Sequence, residues 1–281
     1  MLLLFNNFSM KRKKERHLIV RSRNTTCKAL KELIVPRTTI LRLGSTTPTE
    51  QITRRPNPVE INTAEACAIS SNKILMKKAF DSHDIPSAEW KVYNKGEEIT
   101  EDKILDLFEA FDCRVIVKHK HSSKGDGIFY FTSAEDLGVW MAEHQDVIHN
   151  YVFERYYTYT REYRLHVTKH GCFYACRKML KRDAEVRWHR HNTNSVWIVE
   201  ENPLFDKPVN WDSIVDSCVS ALDAIGLDIA AFDVKVQSNK HEEPEYIILE
   251  SNSAPSLGER GIEKYKEILT RLINEQELPD A

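Results

Sequence analysis

The chain has 281 residues, 41% of them hydrophobic and 29% charged, with a formal net charge of −2; it is long enough for one large domain or two smaller ones, each with its own core. No apolar run approaches the roughly 20 residues that span a bilayer, and the basic run Lys11-Arg-Lys-Lys-Glu-Arg16 follows Met1-Leu-Leu-Leu-Phe5 where a secretory signal would have it precede. The expectation is a soluble, cytoplasmic protein whose six scattered cysteines are buried free thiols.

Residues 1–40 hold ten Lys/Arg against two Asp/Glu, leaving 30 against 40 for the rest of the chain. Such a basic opening is usually a solvated terminus, and residues 11–37 are also the one stretch suited to docking on nucleic acid. Residues 44–58 carry three prolines and one glycine and read as a loop. From Thr63 a helical pattern begins, and a second helix is predicted over 72–82, with Ile74, Leu75 and Phe80 apolar and Lys73 and Lys77 on a neighbouring face. A short strand near 90–93, a helix over 101–110, strands over 113–118 and 128–131, and a helix from Ser133 to His144 follow, the last opened by a Ser133/Asp136 capping pattern. The second half reads as strands at 151–154, 161–168 and 172–179, a charged segment 180–195, a helix over 211–225, strands at 229–237 and 245–251, and a helix over 259–274. Strands and helices mix without strict βαβ alternation, which predicts an α+β fold. The divisions are an opening region 1–62 and two subdomains, 63–150 and 151–281.

The chemistry begins at the end of the chain. In Tyr246-Ile-Ile-Leu-Glu-Ser-Asn-Ser-Ala-Pro255 an apolar run ends in Glu250, with Asn252 two residues on, so a strand would aim both to one side. Asp233 lies in a second apolar run, Ala230-Ala-Phe-Asp233-Val-Lys-Val236. Two carboxylates and an amide on neighbouring strands form a hard oxygen site suited to Mg²⁺ shared with nucleotide phosphates. Lys118 ends the apolar strand Val115-Ile-Val-Lys118, where its ammonium can reach phosphate, and the following Ser122-Ser123-Lys-Gly125-Asp-Gly127 is a loop of hydroxyls and glycines that can cradle it. Lys124-Gly-Asp-Gly127 also spells the K-x-D-G of nucleotidyltransferases, but the later motifs of that family are missing. Glu162 and Arg164 are two apart in Arg161-Glu-Tyr-Arg-Leu-His-Val167; Glu162 is placed to accept ribose hydroxyls, and Arg177, Lys178 and Lys181 would extend the positive lining. His189-Arg-His191 is either a solvated loop or the acceptor end of the cleft.

Taken in order, these segments resemble the ATP-grasp superfamily over roughly residues 63–275. Ser71-Asn-Lys73 with Ile85-Pro86 is similar to the helix opening its nucleotide domain, Lys118 to its ATP lysine, and 122–127 to its mobile phosphate loop. Phe153-Glu154-Arg155 is similar to its adenine hinge, Glu162 to its ribose acid, and Asp233, Glu250 and Asn252 to its magnesium ligands. The resemblance implies two α+β subdomains clasping ATP, with Mg²⁺, and a ligase that joins a small carboxylate to an amine through an acylphosphate. In it Arg164 and Arg177 would meet the transferred phosphoryl group or the substrate carboxylate. Three departures stand out. Ala231 occupies the position where the D-alanine ligase branch has an arginine, a polar hairpin at 238–244 stretches the spacing from Asp233 to Glu250, and the opening region is short for the usual preceding domain. They point towards amino-acid- or peptide-adding ligases. The alternatives are a nucleotide-binding scaffold without turnover, and a ligase acting on a nucleic acid.

Overall fold

The computed structural model describes residues 18–21, 30, 39–54, 58–122, 127–190, 193–238, 240 and 242–277. The basic stretch 11–37 therefore lies, apart from 18–21 and 30, outside the described residues. No described helix is long and apolar enough to cross a membrane.

The opening region is more regular than its sequence suggests. Strands β1 (Leu18–Arg21), β2 (Thr39–Leu43) and β3 (Val59–Ile61) form a parallel sheet in that order, with a single turn of helix, α1 (Thr49–Ile52), inside the expected loop. β2 is buried along its whole length, as a central parallel strand must be. Arg42, wholly buried on β2, is satisfied by Glu60 at 2.9 Å, the Thr47 carbonyl at 2.5 Å and the Thr49 hydroxyl at 2.6 Å.

The next sheet is antiparallel, in the order β4 (Trp90–Lys91), β7 (Tyr151–Arg155), β5 (Val115–His119), β6 (Ile128–Phe131). Helices α4 (Glu101–Ala110) and α5 (Ala134–Glu143) cover one face, over a core containing Leu107, Phe108, Leu137, Trp140 and Phe153. Ser133 caps α5 by accepting from the Asp136 N–H, as its spacing predicts. Helices α2 (Ala64–Ser71) and α3 (Lys73–Asp81) precede this sheet in sequence but pack elsewhere. Their Ala66, Cys67, Met76 and Phe80 belong to the core of the third sheet, so by packing they go with that sheet and not with the second.

That third sheet has five antiparallel strands in the order β10 (Ser195–Val199), β9 (Gly171–Leu180), β8 (Arg161–Thr168), β11 (Ile229–Val236), β12 (Tyr246–Asn252). One face buries Tyr163, Leu165, Phe232 and Val234 against α6 (Trp211–Ile225), which ends at Gly226 in the left-handed conformation (φ 79°) a glycine adopts without cost. Helix α7 (Glu259–Glu277) packs on the opening sheet through Tyr265, Leu269 and Leu272. The junction between opening region and third sheet is Asn62, at φ 62° and fully buried. Its amide donates to the Arg42 and Ile229 carbonyls and accepts from the Asp228 and Ile229 N–H groups. Asn62→Ala leaves these groups without partners, and roughly 3 kcal/mol of unfolding free energy is expected to go, read from the midpoint of urea unfolding.

Candidate active site

Strand alternation assembles the acidic set. In the β11–β12 register Asp233 stands opposite Glu250 and Ala231 opposite Asn252, with a shift just after Asp233. Asp233, Glu250 and Asn252 therefore share a face, the one turned away from α6. β8 lies on the other side of β11 and sets Arg164 opposite Asp233. The pair is bidentate, Nε to Oδ1 at 2.6 Å and Nη2 to Oδ2 at 2.7 Å. Burial alone would raise the Asp233 carboxyl, but the Arg164 guanidinium holds it below the usual carboxylate range. Burial likewise opposes the charge on Arg164, and Asp233 more than restores it.

The basic set comes from the second sheet and α3. Glu154 stands opposite Ile116 and Val152 opposite Lys118, so Lys118 and Glu154 are diagonal neighbours on one face. Lys118 Nζ lies 2.7 Å from Glu154 Oε2, and Lys77 Nζ, one turn into α3, lies 3.7 Å from Oε1. Burial would raise the Glu154 carboxyl; Lys118 and then Lys77 keep it low. Lys77 is fully buried, and desolvation lowers its ammonium from 10.5 to about 8 against the pull of Glu154. Between those values the unfolded chain holds a proton at this site that the folded chain has lost, so raising the pH favours the folded state. The stability difference between wild type and Lys77→Met is expected to shift towards wild type from pH 8 to 10. Denaturant unfolding of both proteins checks this, and a pH-independent difference would refute the lowered value.

Lys73, the first residue of α3, joins the two sets. Its Nζ donates to the Ser122 carbonyl at 2.6 Å and lies 3.8 Å from Glu250 Oε2. Its ammonium is lowered by burial, with Glu250 opposing and Lys118 close enough to add to the lowering. Lys73 N also donates to the Lys120 carbonyl at 2.9 Å, which ties α3 to the end of β5. Glu250 and Lys118 are thus both neighbours of Lys73. The expected phosphate loop begins at Ser122, whose buried hydroxyl has no partner, and ends at Gly127, whose φ of 67° suits glycine. Ser123 and Gly125 lie outside the described residues.

Glu162 is on the same sheet face as Arg164, 3.5 Å from Lys178 Nζ and 3.3 Å from Arg190 Nη1. Arg190 belongs to the His189–His191 segment, of which His191 lies outside the described residues. The neighbouring Trp188 stacks on Tyr130 of β6 at 5.3 Å, and Lys181 donates to the Thr193 carbonyl, so this segment bridges the two sheets.

Three expected residues are placed elsewhere. Arg177 stands opposite Tyr163, on the α6 face of β9, where it donates to the Leu204 carbonyl at 2.8 Å and pairs with Asp206 at 3.2 Å. Arg177 and Lys178 are consecutive on one strand, so they cannot both face the cleft, and Lys178 is the one that does. Arg155 alternates with Glu154 in the same way and is held at the surface by Glu89, at 2.7 Å, and by Asp112. Phe153 points into the core of the second sheet against Tyr93, so only its backbone is left for a ligand.

Two cleft residues went unread in the sequence. Lys235, two after Asp233, faces Glu162; desolvation lowers its ammonium to about 8, and its Nζ lies 4.7 Å from the Tyr156 ring centroid. The alternation that placed Asn252 would have found it. Trp197 lies on β10, a strand short enough to be lost beside the charged segment.

Asp233, Glu250 and Asn252 present two carboxylates and an amide oxygen on one face of the sheet, a set of hard oxygen ligands that fits Mg²⁺. No group of three His, Cys, Asp or Glu that would suit another metal occurs among the described residues.

No family model matches the sequence. Nor does any curated protein match it. Solved structures do. D-alanine–D-alanine ligase from Bacillus anthracis, complexed with ATP, is 14% identical with a TM-score of 0.61, over 92% of this chain and 98% of that one. The ATP-grasp ligase PsnB with its minimal precursor is 15% identical, TM-score 0.62, over 92% and 99%. Carboxyaminoimidazole ribonucleotide synthase from Aspergillus clavatus, complexed with ATP, is 12% identical, TM-score 0.62, over 94% and 71%.

Proposed function

On the premise of an ATP-grasp fold, which this chain has, we propose that it is an ATP-dependent ligase joining a carboxylate to an amine, with an amino acid or peptide among its substrates. The observation that carries the reading is Lys73. It spans from the carboxylate of Glu250 to the start of the 122–127 loop, beside Lys118 and Glu154, so acidic and phosphate-binding groups border one cleft. Neighbours that act on amino acids or a peptide precursor, by their descriptions, support the substrate class.

In this reading the substrate carboxylate oxygen attacks the γ-phosphorus, the bond to the ADP oxygen breaks, and an acylphosphate forms. The amine then attacks the acyl carbon, phosphate leaves with the bonding pair, and the new amide nitrogen gives up its proton. The protein's part is positioning and charge neutralisation. Lys73 and Lys118 offer positive charge to the phosphates, and Glu154, paired with Lys118 and with the buried Lys77, keeps Lys118 oriented. Arg164 offers its free edge, Nη1, to the group being transferred, while its other edge keeps Asp233 ionised. Asp233, Glu250 and Asn252 would hold Mg²⁺, which when bound supplies a Lewis acid for the phosphate oxygens.

The test is incubation with Mg·ATP and pools of amino acids and peptides, with hydroxylamine as a general amine. Phosphate release together with a hydroxamate, or a condensed product by mass spectrometry, is the expected result. ATP hydrolysis that no carboxylate stimulates would refute the ligase reading.

A further inference from the structure

Across the cleft face the five-stranded sheet presents its groups in a fixed sequence. Glu250 is on β12, Asp233 on β11, Arg164 on β8, Lys178 on β9 and Trp197 on the edge strand β10. The lysines of α3 and β5 stand over the Glu250 end. If phosphates occupy that end, the carboxylate that attacks them enters from the other side of Arg164, and the rest of its skeleton lies over β9 and β10. Trp197 is there. It stands opposite Lys178 in register, its ring centroid 4.9 Å from Arg164 Cζ and 5.4 Å from Lys178 Nζ, within cation–π range of both. Even so the indole is 38% exposed, unusual for a large aromatic on a functional face. Arg164 has spent Nε and Nη2 on Asp233, so the ring steadies the guanidinium while Nη1 stays available.

We infer that Trp197 determines which carboxylate is used: its exposed ring is the wall on which the substrate's carbon skeleton lies, with the carboxylate held between Arg164 Nη1 and Lys178 Nζ. The inference rests on the ligase reading and deepens it. The substrate class it selects is a carboxylic acid with an apolar or planar group next to the carboxylate-bearing carbon, since such a group stacks on indole and an anionic one does not. Trp197 lies within cation–π range of Arg164 and Lys178, the two groups assigned to the carboxylate, so the effect of its loss should fall on the carboxylate.

The experiment is steady-state hydroxamate formation, with hydroxylamine as the amine and each of the twenty free amino acids in turn as the carboxylate. Wild type is compared with Trp197→Phe, Trp197→Leu and Trp197→Ala. Among the amino acids used, those with aromatic or branched aliphatic side chains are expected to have the lowest KM. Trp197→Ala is expected to raise that KM about tenfold or more and to narrow the preference among side chains, with the KM for ATP changed less than twofold. Trp197→Phe keeps a ring and should stay within about threefold of wild type; Trp197→Leu keeps bulk without the cation–π face and should fall between the two. Equal changes in both KM values, or a preference for charged side chains unaltered in every variant, would overturn the role of Trp197 and leave the ligase reading standing. No hydroxamate from wild type with any amino acid would overturn the substrate class assigned to Trp197, while the ligase reading falls only when no carboxylate, peptides included, stimulates phosphate release.

Discussion

Glu250→Ala is expected to lower ATP turnover by about 10²–10³-fold while leaving the folded protein almost as stable as wild type. The side chain is 35% exposed and its ion pair to Lys73, the one it makes among the described residues, is long at 3.8 Å, so little native-state energy rests on it. Its position is what matters. It stands opposite Asp233 and on the same face as Asn252, and it is the acidic group nearest to Lys73 at the mouth of the 122–127 loop. Loss of the carboxylate removes an oxygen ligand and a negative charge from the proposed magnesium set, which weakens the hold on the metal that would carry the triphosphate. Phosphate release and a thermal melt on the same sample check the prediction. Turnover within about threefold of wild type would contradict the magnesium assignment, and a fall in Tm of more than about 2 °C would show a structural role instead.

The elements that were legible in the sequence are those whose signal is local. Asp233 and Glu250 could be read because each interrupts an apolar strand, and Asn252 because alternation ties it to Glu250. Ser133 announces α5 by a cap three residues long. What stayed hidden depends on partners far away in the chain. Arg155 is claimed by Glu89 and Asp112, 66 and 43 residues distant, and no pattern near Arg155 signals either. Lys77 has the spacing of a solvated helical lysine, yet packing of α3 against the third sheet buries it and Glu154 stabilises its charge from another subdomain. Arg177 differs in kind: it and Lys178 are neighbours on β9, and strand geometry sends neighbours to opposite faces, so only one of the two can join a positive lining. β10 was passed over because five residues with two exposed apolar side chains, Val196 and Trp197, carry too little periodicity beside a charged segment.

Asp233→Ala should be costlier than the Glu250 change because it strips the partner from a buried cation. Asp233 is 4% exposed and the Arg164 side chain 14%, and both hydrogen bonds between them are short. Removing one member of such a pair is expected to cost about 3–5 kcal/mol, since Arg164 keeps its charge and loses its compensation. The double variant Asp233→Leu/Arg164→Met separates stability from function. It removes both charges, leaves two apolar side chains of similar bulk, and is expected to recover most of the lost unfolding free energy. Turnover should remain at the level of the single variant, because the recovered core still lacks the carboxylate proposed to bind magnesium and the guanidinium proposed to meet the transferred phosphoryl group. Urea unfolding and phosphate release on wild type and the two variants decide it. Activity restored along with stability in the double variant would mean that the Arg164–Asp233 pair holds the fold and takes no part in the chemistry.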